Sequence, residues 1–228
     1  MLILISFNEE HYCSRGKNII TVSKDGCARL WSCGERKCLG LLLSPGPDTL
    51  PDQLTCCDLT DQSHLHPLDP ASSAGDEELN SPEVETEDKV LAVGAESGRV
   101  TILAVASRAV LQQYDAGAAV SCVAWSPGQL TVGCEDGAVH QLTGSGAAVT
   151  RSSSSPVRSV RYIPQLRAVA VARQDGSVSI DTGAAAVLLT GPDTDPVYSL
   201  ASDQHHLYTG CRDGVVRKYD INIIRNLK

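Results

Sequence analysis

An all-β fold built from repeated four-stranded blades is predicted by three observations on this sequence. The first is a pattern that occurs five times: an apolar strand, a turn ending in Asp-Gly or a near relative, and a second apolar strand. The turns read Ser23-Lys24-Asp25-Gly26, Ala95-Glu96-Ser97-Gly98, Cys134-Glu135-Asp136-Gly137, Arg173-Gln174-Asp175-Gly176 and Cys211-Arg212-Asp213-Gly214. The second is their spacing. The glycines lie 72, 39, 39 and 38 residues apart, and an acidic insertion lengthens the first gap, so the period is near 40. The third is that about four apolar strands fit into each period. About 40 to 45 residues with four strands is the spacing of a WD40 β-propeller blade, and about five blades are present.

The strands follow in order. Leu2 to Phe7 reads as an innermost strand, Asn18 to Ser23 and Ala28 to Trp31 flank the first turn, and Cys38 to Leu43 is the outer strand. The second unit opens with Leu54 to Leu59 and resumes after the insertion with Val90 to Gly94, Arg99 to Ala104 and Ala109 to Tyr114. The third has Val120 to Trp125, Gln129 to Cys134, Ala138 to Leu142 and Ala147 to Arg151. The fourth has Val157 to Ile163, Ala168 to Ala172, Ser177 to Asp181 and Ala185 to Leu189. The fifth has three strands, Val197 to Ala201, His206 to Gly210 and Val215 to Tyr219, after which little chain is left. Alternation mixed with continuous apolar runs fits blades sandwiched between other blades. The organisation expected is blade and start of the next over 1–60, an acidic disordered insertion over 61–88 and the remaining blades over 89–228.

Composition narrows the function classes. The chain has 228 residues with one Phe, one Met and two Trp, so its core is built from Val, Ile, Leu, Ala and Cys. No run approaches the roughly 20 apolar residues of a membrane helix, and the opening apolar stretch is too short for a signal peptide. The expected location is intracellular, with no membrane partner. The nine cysteines are odd in number and show no paired C-x-x-C spacing, which points to reduced, structural thiols. Cys33 and Cys38 with His64 and His66 lack finger-like spacing, so neither metal nor cofactor is expected.

Net charge is −8, and it is localised. From Cys38 to Asp88 there are twelve acids and no Lys or Arg. That segment reads as a solvated loop, or as an electrostatic lure for a basic partner surface. No basic stripe with interleaved aromatics suggests nucleic acid.

The recurrent turn residues Asp25, Gly26, Gly98, Asp136, Gly137, Asp175, Gly176, Asp213 and Gly214 read as scaffold. Gly after Asp takes positive φ at little cost and closes the connection between the second and third strands. Repeat two departs from the pattern, with Ser97 in the Asp position. No P-loop, dinucleotide fingerprint, nucleophile elbow or H-E-x-x-H is present. Repeat geometry holds the turn aspartates apart instead of pairing them for acid–base work. The expectation is a binding protein and not an enzyme. The serines of Arg151-Ser152-Ser153-Ser154-Ser155-Pro156 are open to phosphorylation, though serine runs are common in inter-blade loops.

Particular segments carry a resemblance. The run from Gly16 to Gly40 resembles a middle blade of the proteasomal ATPase-associated factor family. Leu189 to Tyr198, with Asp195-Pro196-Val197-Tyr198, and Thr209 to Tyr219, with Cys211-Arg212-Asp213-Gly214, resemble its last blade. Asn80-Ser81-Pro82-Glu83 in the insertion is also similar. The resemblance implies a non-enzymatic chaperone that binds an AAA-type ATPase subunit of the 19S base. It would modulate base assembly and 19S–20S association, and be monomeric apart from that partner. Against the family's apparent seven blades, the chain corresponds to the C-terminal five, an incomplete seven-bladed propeller. A truncated gene model or isoform, a five-bladed closure and an open half-propeller all account for that count, and the first is favoured. A generic WD40 scaffold or a ubiquitin-ligase substrate adaptor is the alternative function.

Propellers bind partners on the face where inter-blade loops and these turns cluster. Two recurring positions project there: the residue before the turn Asp (Lys24, Glu96, Glu135, Gln174, Arg212) and one early in each innermost strand (Thr55, Ser121, Arg158, Tyr198). Tyr and Arg are enriched among interface hot spots, so Tyr198, Arg158 and Arg212 lead, followed by Glu135, Glu96 and Lys24. A purely structural role is open for two of them. Arg212 would pair locally with Asp195 or Asp193, and Tyr198 would pack on the neighbouring blade.

Overall fold

The structure is a computed structural model, and it describes residues 4–5, 18–47, 50–61, 89–181, 186–190 and 195–226. From residue 62 to 88 the acidic insertion lies outside the described residues, and with it His64, His66 and the Asn80–Glu83 stretch. The chain divides into two compact units, Met1–Val120 and Ser121–Lys228.

The first unit holds two four-stranded sheets. One consists of β1 (Leu4–Ile5), β2 (Asn18–Val22), β3 (Ala28–Ser32) and β4 (Lys37–Leu43), the other of β5 (Leu54–Asp61), β6 (Lys89–Ala95), β7 (Arg99–Ala104) and β8 (Val110–Asp115). In both, strands pair antiparallel in chain order, a meander that is kept even across the long segment between β5 and β6. Leu30, Leu42 and Val22 of one sheet pack with Leu54, Leu91, Val93 and Leu103 of the other. Strand β6 is buried at six consecutive positions, from Val90 to Ala95, because both its faces are covered.

The second unit takes in β9 (Val120–Ser126, all but its first residue), β10 (Gln129–Cys134), β11 (Val139–Thr143) and β12 (Gly146–Thr150) as one sheet. The next is β13 (Val157–Ile163), β14 (Ala168–Arg173), β15 (Ser177–Asp181) and β16 (Ala186–Thr190). The last has three strands, β17 (Val197–Ser202), β18 (His206–Cys211) and β19 (Val216–Asp220). Strand β14 shows how a sandwiched strand divides its side chains by period two. Val169 and Val171 pack with Ala124, Val139 and Val157. Ala168, Ala170 and Ala172 lie in a second cluster with Val197 and Leu207 of the last sheet.

Two sheets of the second unit meet at a glycine socket. A Cβ added to Gly133 would come within 2.5 Å of the Val157 Cγ1 and 2.6 Å of the Cys122 Sγ. At Gly94 the same test meets Val120 at 2.5 Å and Cys56 at 2.7 Å. Val157, which opens β13, thus fits against Gly133 in the second strand of the preceding sheet, and only glycine leaves it room.

A short helix, α1 (Ile221–Asn226), follows β19 and was not expected from the sequence. The Asp220 carboxylate accepts from Asn222 N–H at 2.7 Å as its cap. Ile221 and Ile224, one turn apart, are buried beside Ile163, Leu166, Val187 and Leu207.

Candidate functional site

Each recurrent turn closes in the same way. The carbonyl of the first residue accepts from the glycine N–H: Ser23 from Gly26 at 3.0 Å, Ala95 from Gly98 and Cys134 from Gly137 at 3.1 Å, Arg173 from Gly176 and Cys211 from Gly214 at 3.2 Å. The five glycines have φ between +78° and +95°, the left-handed conformation that completes a three-residue hairpin loop. The turn aspartate then locks the loop by accepting from the N–H two residues on. Asp25 takes Cys27 at 3.0 Å, Asp136 takes Ala138 at 3.0 Å, Asp175 takes Ser177 at 3.0 Å and Asp213 takes Val215 at 2.9 Å.

Repeat two reaches the same end by another route. Ser97 Oγ accepts from Arg99 N–H at 3.3 Å and donates to the carboxylate of Asp52, which also accepts from Ser97 N–H at 3.3 Å. The missing carboxylate is supplied from the segment before β5, a substitution that sequence reading did not find.

Three of the turn aspartates carry an arginine partner. Arg29 Nη2 lies 2.6 Å from Asp25 Oδ2 and Arg217 Nη2 lies 2.6 Å from Asp213 Oδ2, both four residues on; Arg151 pairs with Asp136. The Asp-x-x-x-Arg spacing at two turns was legible in the sequence and overlooked. The Arg29 guanidinium, helped by the Cys27 N–H, holds the Asp25 carboxyl at about 2. Arg217 likewise holds Asp213 below the usual carboxylate range. A depressed folded pKa means the stabilisation is complete above the unfolded value of about 4 and is lost as pH falls towards 2. Because Asp25 is half exposed, its pair contributes at most about 1 kcal/mol. The expected result for Asp25→Asn, read by acid titration of stability, is a loss of up to about 1 kcal/mol at pH 7 that shrinks as pH falls from 4 to 2, where the two proteins converge.

The candidate partner-binding residues fall into separate groups. In the second unit, Arg158 Nη1 lies 2.7 Å from Glu135 Oε1 and its Nε donates to Gln174 Oε1 at 2.6 Å. Two turn residues and one early strand residue therefore form one charged cluster. Tyr198 and Arg212 lie together at the end of the last sheet, beside the paired residues Val197 and Cys211. Tyr198 is 48% exposed, and Arg212 N–H donates to Pro196 O at 3.0 Å while its side chain is exposed. Among the described residues Arg212 forms no ion pair with Asp195, and Asp193 lies outside them. Lys24 and Glu96 are exposed on turns of the first unit.

Thr55 and Ser121 are engaged in the scaffold. Thr55 Oγ1 lies 2.6 Å from Val120 O and 3.1 Å from Gly94 O, and Ser121 Oγ lies 2.6 Å from Val157 O and 3.0 Å from Gly133 O. The Ser121 hydroxyl thereby bridges its own sheet to the first strand of the next within the second unit.

Burial holds two of the thiols, Cys57 and Cys134, in the neutral form. The eight described cysteines are free, and burial pushes Cys134 up to about 11 and raises Cys57 further. No cluster of three or more His, Cys, Asp or Glu residues among the described residues could hold a metal ion.

Comparison with known proteins agrees with the blade geometry. Residues 61–128 match the model of the anaphase-promoting complex subunit 4 WD40 domain, and residues 186–220 match the WD domain, G-beta repeat. Proteasomal ATPase-associated factor 1 of Homo sapiens is 30% identical over 153 residues, covering 61% of this chain and 37% of that protein. The Bos taurus protein of the same name is 34% identical over 148 residues, with the same shares covered. The chain thus matches little more than a third of the length of these curated relatives. Among solved structures, the computationally designed Ika8 protein aligns with a TM-score of 0.65 and 14% identity. The alignment covers 96% of this chain and 58% of that one, a likeness of fold alone. What recurs here every forty residues is a blade of the WD40 kind, matched by WD40 models in two stretches, and the chain is similar in sequence to the proteasomal ATPase-associated factors.

Proposed function

We propose that this protein is a non-enzymatic binding platform that associates with an AAA-type ATPase subunit of the proteasomal 19S base. In this reading it acts in the cytoplasm and nucleus, modulates base assembly and 19S–20S association, and is monomeric apart from its partner. The observation that carries the proposal is the 30–34% identity to proteins named for association with proteasomal ATPases, over 61% of the chain. The geometry supports it. Exposed Tyr198 and Arg212 lie at one end of the last sheet and combine the two residue types most enriched among binding hot spots.

The test is a binding titration of the full chain against individually purified proteasomal ATPase subunits. One subunit should bind, and the Tyr198→Ala and Arg212→Ala double variant should bind it at least about tenfold more weakly, or about 1.4 kcal/mol. Its unfolding midpoint should match that of the parent. Absence of binding to every subunit would sink the proposal, whereas unchanged affinity in the double variant would move the contact to the Glu135–Arg158 cluster. A second reading, a scaffold in another multi-subunit complex, draws on the match of residues 61–128 to the anaphase-promoting complex subunit 4 WD40 domain. Co-purification separates the two, since it would recover subunits of that complex in place of free proteasomal ATPases.

A further inference from the structure

Arg173, the last residue of β14, is only 3% exposed. Its Nη1 donates to Ser179 Oγ at 2.9 Å and its Nη2 to Ser152 Oγ at 2.9 Å, while the buried Nε has no partner among the described residues. Arg29, Arg151 and Arg217 each meet a turn aspartate, but Arg173 meets no carboxylate within ion-pairing distance among the described residues. The nearby acid, Asp175, is occupied by Ser177 N–H and Oγ at 3.0 and 2.6 Å. Asp175 acts on the Arg173 guanidinium only through space, with no direct ion pair, so burial still disfavours its charge, and a bidentate anion is the partner its fork fits best.

The serine run between β12 and β13 places one hydroxyl where that anion belongs. Ser152 is exposed, and its Oγ already touches the guanidinium. Its neighbours are placed differently. Ser153 Oγ faces Asp175 Oδ2 at 3.5 Å and Ser155 Oγ accepts from Asp175 N–H at 3.0 Å, while Ser154 is exposed.

We propose that Ser152 is a phosphorylation site whose phosphoryl group is received by Arg173. A protein kinase would transfer the γ-phosphoryl group of a nucleoside triphosphate to Ser152 Oγ. The new P–O bond forms as the bond to the β-phosphate breaks, the nucleoside diphosphate leaves, and the hydroxyl proton passes to the kinase's base. The ester then carries a charge of about −1.5 to −2 and three acceptor oxygens, one P–O bond away from the waiting N–H groups. The same modification at Ser153 or Ser155 would set that charge against Asp175 and loosen the turn.

Two measurements on the full chain test this. With phosphoserine installed co-translationally at position 152 or, separately, at 154, a phosphorus-31 NMR titration compares the two phosphates. The second ionisation at position 152 should lie about one pH unit or more below that at 154, because a nearby cation favours the dianion. Arg173→Gln should erase the difference. Should that variant fail to fold, the comparison of the two phosphates decides alone, and identical titrations overturn the receptor role of Arg173. Mass spectrometry of the chain isolated from cells treated with phosphatase inhibitors should find phosphate on Ser152. A run that is unmodified, or modified only at Ser153 to Ser155, overturns the site.

Discussion

Gly137→Ala should destabilise the protein by about 3 kcal/mol or more, and Gly214→Ala, the same change in the same turn of another blade, by only about 1 kcal/mol. Both glycines are held at positive φ, +85° and +78°, where an L side chain is strained by roughly 1–3 kcal/mol. Their surroundings differ. A Cβ at Gly137 would lie 2.9 Å from both Ser154 C and Ser155 O and closer still to Ser153 O, all of them backbone atoms. At Gly214 nothing lies within 4 Å. Overpacking against backbone adds a further cost of about 1–3 kcal/mol, because the serine segment must move bodily. Thermal unfolding of the two variants is the check. At roughly 2–4 °C per kcal/mol for a chain of this size, Gly137→Ala should fall about 10 °C and Gly214→Ala about 3 °C. Equal losses would mean that the turn conformation alone sets the cost and that the serine segment yields freely.

The second large effect belongs to the C-terminal helix. Ile221→Ala should cost about 2–5 kcal/mol, the range for emptying a well-packed aliphatic site, while Ile223→Ala in the same helix should cost under about 0.5 kcal/mol. Ile221 is fully buried and Ile223 is 62% exposed. Helix propensity changes equally in the two variants, so the difference reports packing. An isolated six-residue helix would not form in water. Its existence therefore depends on Ile221 and Ile224 filling the cluster around Ile163 and Leu207, aided by the Asp220 cap and the bond from Ile221 N–H to His205 O at 2.8 Å. Denaturant titrations that gave equal losses would show that the helix is not docked in solution.

That helix also marks where sequence reading stops. Strands of the repeated unit were legible to within a residue or two. Arg99–Ala104, Gln129–Cys134, Val157–Ile163 and Ser177–Asp181 fall where the apolar pattern sets them. Pattern and turn reinforce one another there over a period of forty. The six residues after β19 have no such repetition, and their apolar pair at i and i+3 gains meaning only from the pocket it fills.

The candidate partner-binding residues divide in the same way. That Glu135, Arg158 and Gln174 belong to one face was readable from their repeat positions. Their joining into a single charged cluster was not, since Arg158 had to choose among several acids. Thr55 and Ser121 shared a repeat position with Arg158 and Tyr198, yet their short hydroxyl side chains reach only neighbouring carbonyls and so are engaged in the scaffold.

By itself the sequence determined the blade, its period and its turn, because each rests on short-range chemistry: a glycine's access to positive φ, an aspartate bonding its own backbone two residues on, and apolar alternation along a strand. Only the tertiary structure decided which distant groups meet. It brought Asp52 to Ser97 across 45 residues, Thr55 to the carbonyl of Val120 across 65, and Arg173 to Ser152 in place of an acid. Those pairings follow from how sheets stack, and stacking is set by the summed fit of many small apolar side chains that no local pattern records.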